Sequence, residues 1–126
     1  MRGIETTVAQ GLRDADAAVR EALAAEGFGV LTQIDVAATL REKLGVERPP
    51  MESLGACNPA LAHRALEMDA SVALMLPCNV VLEELEPGRT RVVFADPREL
   101  MPGADFAVLA AEAARRLEAA KDRLER

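Results

Sequence analysis

A turn at Pro87-Gly88 constrains the fold of this chain more than any other feature of its sequence. Segments of strand length flank it, Val80 to Leu85 before the turn and Thr90 to Ala95 after it. Two such segments joined by a short turn that contains Gly predict a β-hairpin. Because a hairpin makes antiparallel neighbours, the predicted sheet is at least partly antiparallel.

The rest of the chain alternates between the two periodicities, period 2 for strands and 3.6 for helices. The other predicted strands cover residues 3–9, 28–36, 51–56 and 72–76, the last separated from the hairpin by Pro77. The predicted helices carry apolar stripes at 15–23, 36–44, 61–66 and, from about Asp105, 106–124. The order β-α-β-α-β-α-β-β-α favours an α+β fold: a curved, mainly antiparallel sheet with helices packed on one face.

Composition and charge limit the partners. With 126 residues, half of them apolar, the chain (1–126) is expected to form a single domain that needs no disulfide, metal or other cofactor to fold. A net charge of −6, with three Phe and no Trp or Tyr, argues against binding nucleic acid, which needs clustered cations or exposed rings. No segment approaches the roughly 20 apolar residues of a membrane span, and no signal-peptide core is present. We therefore expect a cytoplasmic protein with reduced cysteines and no nucleic-acid or membrane partner.

The pair Cys57-Asn58 is the sharpest candidate for chemistry. Asn58 is predicted to be the N-cap of a helix whose first residue is Pro59. Cys57 therefore lies next to a helix N-terminus, a setting that can lower the pKa of a thiol. The alternative is that Cys57 is a small buried residue at a tight strand-to-helix junction, since cysteine is among the most buried residue types.

A second pair, Cys78-Asn79, follows Pro77 at the break between two predicted strand segments. Cys78 alone is explained by packing, whereas Asn79 has no local explanation and is a candidate for a buried or ligand-facing amide. Asp35 ends a predicted strand and is a further candidate ligand residue, although a helix cap is the simpler interpretation. Cys57, Asn58, Cys78, Asn79 and Asp35 are thus the candidate ligand-binding residues.

A metal site is a further alternative. Cys57, Cys78 and His63, the single histidine, are ligand types that zinc or copper accepts. Their spacing matches no zinc-finger pattern, and no fourth ligand is evident. The sequence also lacks phosphate-binding glycine loops, the GxSxG elbow and HExxH, so no catalytic residues are predicted.

Three segments together resemble a known bacterial family. They are Gly27-Phe28-Gly29-Val30-Leu31-Thr32-Gln33-Ile34-Asp35-Val36, Leu54-Gly55-Ala56-Cys57-Asn58-Pro59 with Leu61-Ala62, and Leu76-Pro77-Cys78-Asn79-Val80. In this order they are similar to the family called domain of unknown function 302, from the first helix to Asp96-Pro97. The resemblance implies a compact α+β fold related in shape to TATA-binding-protein-like folds, and a homodimer. It implies no activity, and Gln33 stands where the family pattern has Glu.

The sequence leaves three hypotheses for function. The first is a non-catalytic small-ligand-binding or regulatory homodimer with its site near the two Cys-Asn pairs. The second is a thiol-based redox, persulfide or metal-carrier protein that uses Cys57 and Cys78. The third is a structural or protein-interaction module. The first two depend on whether the two pairs lie close together in the folded chain.

Overall fold

The computed structural model describes residues 3–101 and 103–126. The strands are β1 Gly3–Val8, β2 Gly29–Asp35, β3 Met51–Cys57, β4 Cys78–Glu86 and β5 Arg89–Ala95. The helices are α1 Leu12–Ala25, α2 Val36–Leu44, α3 Pro59–Met68, α4 Pro97–Leu100 and α5 Ala107–Leu124. Short 3₁₀ helices cover Ala70–Met75 and Ala104–Phe106.

The five strands form one sheet in the order β1-β5-β4-β3-β2, and every neighbouring pair is antiparallel. The predicted hairpin is confirmed as β4 and β5, which meet at the turn that contains Gly88. The predicted α+β class, with a mainly antiparallel sheet, is confirmed as well. The sheet is open, with β1 and β2 as its edges.

The main core lies between one face of the sheet and the helices α1 and α5. Alternate residues of β5, namely Thr90, Val92 and Phe94, are buried on this inner face, as period-2 side-chain alternation requires. The helix stripes predicted from sequence supply the other half of the core. Its buried helical members are Ala15, Val19, Ala22, Leu23, Ala114, Leu117 and Ala120.

A second apolar cluster joins α3, the first 3₁₀ helix and the beginning of α5. It consists of Leu61, Ala65, Val72, Leu109 and Ala113. The cluster lies beyond the end of the sheet at which β3 passes into α3. It therefore lies beside the strand-to-helix junction that contains Cys57 and Asn58.

The predicted strand at 72–76 is wrong: these residues belong to the 3₁₀ helix Ala70–Met75 and its C-terminal flank. Asp69 begins this helix by accepting a hydrogen bond from the backbone N–H of Ser71 at 2.9 Å. A five-residue apolar run carries no usable period, so buried strand and buried helix give the same pattern. The final helix is also preceded by α4, which the sequence pattern did not predict.

The opposite face of the sheet is less covered. We call it the open face and define it by Val81, Glu83 and Leu85 of β4 with Arg91 and Val93 of β5. These residues alternate with the buried ones, and none of the five is buried. Helix α2 contacts β2 and β3 but buries none of its own side chains.

Candidate functional site

Cys57 ends β3 and Asn58 begins α3, as the sequence predicts. The Asn58 side-chain oxygen accepts a hydrogen bond from the backbone N–H of Leu61 at 3.2 Å, and Pro59 occupies the first helical turn. The N-cap is needed because the first N–H groups of a helix have no partner within it. The strand-to-helix junction is therefore specified locally.

Asn58 also connects α3 to the end of α1. Its amide nitrogen donates to the carbonyl oxygen of Glu26 at 3.4 Å, and Arg116 donates to the same oxygen at 3.3 Å. Gly27 follows with φ of +84°, and a Cβ there would lie 3.0 Å from the Asn58 amide nitrogen. Both ends of the Asn58 amide are thus occupied by the protein, and only 7% of the residue is exposed.

The two cysteines come together. Ala56 is the cross-strand partner of Cys78, so the Cα atoms of Cys57 and Cys78 lie about 6 Å apart, given the usual spacings of antiparallel strands. Both residues line one cavity of about 40 Å³ with Phe28, Leu61 and Met101. The cavity lies between the main core and the second cluster. Its walls are almost entirely apolar.

Both cysteines are free thiols and both are half-buried. Burial raises the pKa of the Cys78 thiol, and the neighbouring Cys57 raises it further. A neutral thiol is a poor nucleophile and a weak metal ligand, because the thiolate does that chemistry. The register places Cys78 opposite Ala56 rather than Cys57, so the two cysteines are diagonal neighbours on adjacent strands. Neither cysteine therefore faces the other as a directly paired cross-strand residue.

The other predicted ligand residues lie elsewhere. Asn79 is opposite Gly55 on the other side of the sheet, where it is exposed rather than buried. Asp35 ends β2, whose first residue Gly29 pairs with Cys57, so Asp35 lies roughly 20 Å along the strand from the cavity. Its carboxylate caps α2 by accepting from the backbone N–H of Ala38 at 2.8 Å. Of the five candidates, only Cys57, Asn58 and Cys78 meet at the cavity.

The proposed set of metal ligands is not assembled. The His63 side chain is 74% exposed and lies 3.7 Å from Glu67 on the same helix, away from the cavity. Within residues 3–101 and 103–126, no three Cys, His, Asp or Glu side chains converge. The reason is the helical phase: His63 lies on the solvent side of α3, whereas Leu61 and Ala65 lie on its buried side.

Sequence reasoning missed a polar cluster at the far end of the sheet. Asp16 and Arg20 of α1, Gln33 of β2 and Glu52 of β3 are linked by hydrogen bonds. Glu52 is 5% exposed and is the first buried residue of its strand, on the inner face two positions before Leu54. The sequence held two signals: alternation within β3, which puts Glu52 on the same face as Leu54, and the departure from the family pattern at Gln33.

The fold and the cavity define a small α+β domain with an open antiparallel sheet and one apolar, cysteine-lined cavity. The model of the family named domain of unknown function DUF302 matches residues 4–124. The chain belongs to that family. The resemblance noted in the sequence is thereby confirmed.

A solved structure supports the same assignment. The chain is similar to an uncharacterised conserved DUF302 protein from Bacillus stearothermophilus, with 34% identity and a TM-score of 0.85, and the match covers 95% of each chain. No curated protein matches the chain. Across the part of the chain described above, no helix combines the length and the apolar character that crossing a bilayer requires.

Proposed function

We propose that this protein is a non-catalytic small-ligand-binding or regulatory domain that acts as a homodimer, with its ligand site at the cavity between Cys57 and Cys78. The observation that carries the proposal is that two residues distant in sequence line one apolar cavity. Two free thiols are usual in a reducing compartment, which agrees with a cytoplasmic location.

The size and walls of the cavity limit the ligand. A volume of about 40 Å³ holds little more than one water molecule, whose share of liquid volume is roughly 30 Å³. Pockets for larger ligands measure roughly 300–1,000 Å³. The ligand class is therefore a small apolar molecule, or a larger one that inserts a small apolar end. The Cys78 thiol, held neutral by burial, offers it a weakly polar contact.

Xenon tests this proposal, because apolar cavities bind it without a specific chemistry. We expect dissolved xenon to shift the amide NMR resonances of residues around the cavity, including Cys57 and Leu61. In the variant Ala62→Val, two added carbon atoms enter the cavity from α3, and the response is lost. Ala62 lines the cavity and is half-buried.

Ala60→Val is the matched control, because Ala60 lies on the exposed side of the same helix. It carries the same loss of helix propensity and leaves the cavity unchanged. The proposal fails if xenon leaves the cavity resonances of the wild type unmoved. It fails equally if Ala62→Val responds to xenon as strongly as Ala60→Val does.

The chemistry of the cavity favours ligand binding over the thiol-based alternative. A redox, persulfide or metal-carrier function needs a thiolate, and burial raises the pKa of Cys78. The Asn58 side chain bonds to Leu61 and Glu26 rather than to Cys57. If the protein is instead a structural or protein-interaction module, this cavity binds no ligand.

The open face is the surface we propose for the dimer. Apolar side chains remain exposed around it, with Leu74 at 87%, Ile34 at 55% and Leu85 at 40%. A groove of about 480 Å³ runs between the 3₁₀ helix and the sheet and includes Val81 and Val93. Single exposed apolar residues are ordinary, whereas apolar residues that line one groove, as Leu74, Val81 and Val93 do here, mark an interaction surface.

The charges on the open face suit a second copy of the chain as the binding partner. Glu83 accepts from Arg48 at 3.0 Å and from Arg91 at 2.5 Å, so both signs of charge lie beside the apolar groove. Under two-fold symmetry, the same surface patch of each copy contacts that of the other. A patch that carries both positive and negative charges can pair with its own copy, whereas a patch with charges of one sign repels it. Closed two-fold dimers are also the commonest oligomers of soluble proteins.

We expect the wild type to have the mass of a dimer in light scattering coupled to size exclusion, and Val81→Arg to have that of a monomer. The arginine places an unpaired charge in the middle of the groove. Val108→Arg is the control, because Val108 is 77% exposed on α5, away from the open face. A wild type that is monomeric at micromolar concentration, or a Val81→Arg variant that stays dimeric, would contradict this interface.

A further inference from the structure

The polar cluster at the far end of the sheet forms a ring. Arg20 Nε donates to Asp16 Oδ1 at 2.6 Å, and Arg20 Nη2 donates to Gln33 Oε1 at 3.2 Å. Gln33 Nε2 then donates to Glu52 Oε2 at 2.7 Å. The ring connects α1 to β2 and β3, and β2 is an edge strand. These hydrogen bonds are three of the four links of the ring, and in each the donor is known: arginine can only donate, so Gln33 accepts through its oxygen and donates through its nitrogen.

The fourth side joins two acids. Asp16 Oδ2 and Glu52 Oε1 are both buried, and in the described residues neither accepts a hydrogen bond from any ordinary donor. Both residues line one groove, Asp16 from α1 and Glu52 from β3, and each carboxyl shifts the pKa of the other. Two carboxylates cannot hydrogen-bond to each other, because each is an acceptor only. The ring closes when one proton lies between these two oxygens.

The proton belongs mainly to Glu52. Burial and, after it, the hydrogen bond to Asp16 raise the pKa of Glu52 to about 7, against the lowering effects of the Gln33 amide and the Arg20 charge. For Asp16, burial opposes ionisation, but the hydrogen bonds with Glu52 and Arg20 outweigh it and lower its pKa. This is the division of one proton expected for two adjacent carboxyls.

The charged groups around Glu52 come from α1 and from the two neighbouring strands. On α1, Asp16 faces it, Arg20 is engaged by Asp16 and Gln33, and Arg13 lines the same groove from an exposed position. The acids on the neighbouring strands are committed elsewhere. On β2, Asp35 lies opposite Glu52 and caps α2, and on β4 the Glu84 carboxylate accepts from the N–H of Leu12 at 3.0 Å. A second negative charge at Glu52 therefore has no cation of its own.

We propose that the ring of Asp16, Arg20, Gln33 and Glu52 is a proton-operated latch that holds helix α1 against strand β3 and loosens when Glu52 loses its proton. Deprotonation places two carboxylates against each other at the closing side of the ring. Asp16 is on α1 and Glu52 is on β3, so the contact that loosens is the one between this helix and this strand. The Gln33 amide still donates to the Glu52 carboxylate, so β2 stays connected to β3.

The sign of the pH effect follows from linkage. Glu52 binds its proton more tightly in the folded chain than in the unfolded chain, whose glutamates titrate near 4.5. Stability is therefore fully present below about pH 4.5 and is lost as the pH rises to about 7. Asp16 acts in the opposite direction, but below its ordinary pKa of 3.8 and so outside this window.

Urea denaturation of the whole chain between pH 5 and pH 8 tests the latch, with Glu52→Gln as the variant. The glutamine amide donates to Asp16 Oδ2, and its oxygen accepts from Gln33, at every pH. We expect the folding equilibrium constant of the wild type to fall at least about tenfold from pH 5 to pH 8, and that of Glu52→Gln to stay level. Glu5→Gln, on an exposed site of β1, keeps the wild-type slope.

Hydrogen exchange localises the effect. After correction for the intrinsic pH dependence, we expect the amides of 12–25 to exchange faster at pH 8 than at pH 5 in the wild type but not in Glu52→Gln. Asp16→Asn is the second variant: its amide donates to the Glu52 carboxylate, so the loss of stability moves to lower pH. The proposal is overturned if Glu52→Gln keeps the wild-type slope, or, should that variant not fold, if Asp16→Asn leaves the transition in place.

Discussion

Replacing Gly55 with alanine is expected to lower the free energy of unfolding by about 2 kcal/mol, within the range that overpacking costs. Gly55 is buried in the middle of β3, where a Cβ would collide with Thr32 Oγ1 and lie 2.7 Å from Cγ of Pro77. The threonine hydroxyl can rotate away, but the proline ring cannot. Equilibrium urea denaturation measures the difference.

Gly29→Ala is the matched control for this prediction. Gly29 also lies in a strand of the sheet, and a Cβ there has no other atom within 4 Å. Since glycine in a strand costs roughly 0.5–1 kcal/mol of conformational entropy, Gly29→Ala is expected to be neutral or stabilising. Equal effects of the two substitutions would show that contact with Pro77 does not set the requirement for glycine.

The second large effect is expected at Asn58. Asn58→Ala removes the N-cap of α3 and the hydrogen bond to the Glu26 carbonyl, at a site that is 7% exposed. A cap is worth about 1 kcal/mol and a buried group left unpaired costs about 1–3 kcal/mol, so we expect a loss of about 2–3 kcal/mol. The readout is again the free energy of unfolding, with circular dichroism to confirm that the fold is retained.

Two comparisons separate the parts of this effect. Asn58→Asp keeps the acceptor for Leu61 but loses the donor to Glu26, so its cost lies between wild type and alanine. Asp35→Ala removes an exposed cap of α2 and is expected to cost about 1 kcal/mol. An Asn58→Ala variant no less stable than Asp35→Ala would mean that the connection to α1 contributes nothing.

Local signals predicted much of this fold. The hairpin, the α3 cap at Asn58 and the apolar stripe of α5 each depend on residues within a few positions of one another. The wrong prediction of a strand at 72–76 has the same origin, because a short apolar run bounded by Pro77 is equally typical of a strand and of a helix. What decides it is the packing of Val72 against Leu61 and Leu109, which lie far away in the chain.

The candidate site was predicted only in part. Its location at the β3–α3 junction followed from Asn58-Pro59, but the sequence left open whether Cys57 and Cys78 lie close together. They do, because β4 pairs with β3 in the register that sets Cys78 opposite Ala56. The same register sends Asn79 to the other side of the sheet, and the phase of α3 turns His63 to solvent.

By itself, the sequence determined the elements that depend on neighbours in the chain: the hairpin, the helix caps, the helix stripes and the small, acidic α+β character of the whole. Only the tertiary structure decided the raised pKa of Cys78 and the closing of the ring at Asp16 and Glu52. The physical reason is that burial and proton sharing depend on distances between residues such as 16, 33 and 52, which only strand register and helix packing set. In sequence, Glu52 is an ordinary charged residue beside a proline loop.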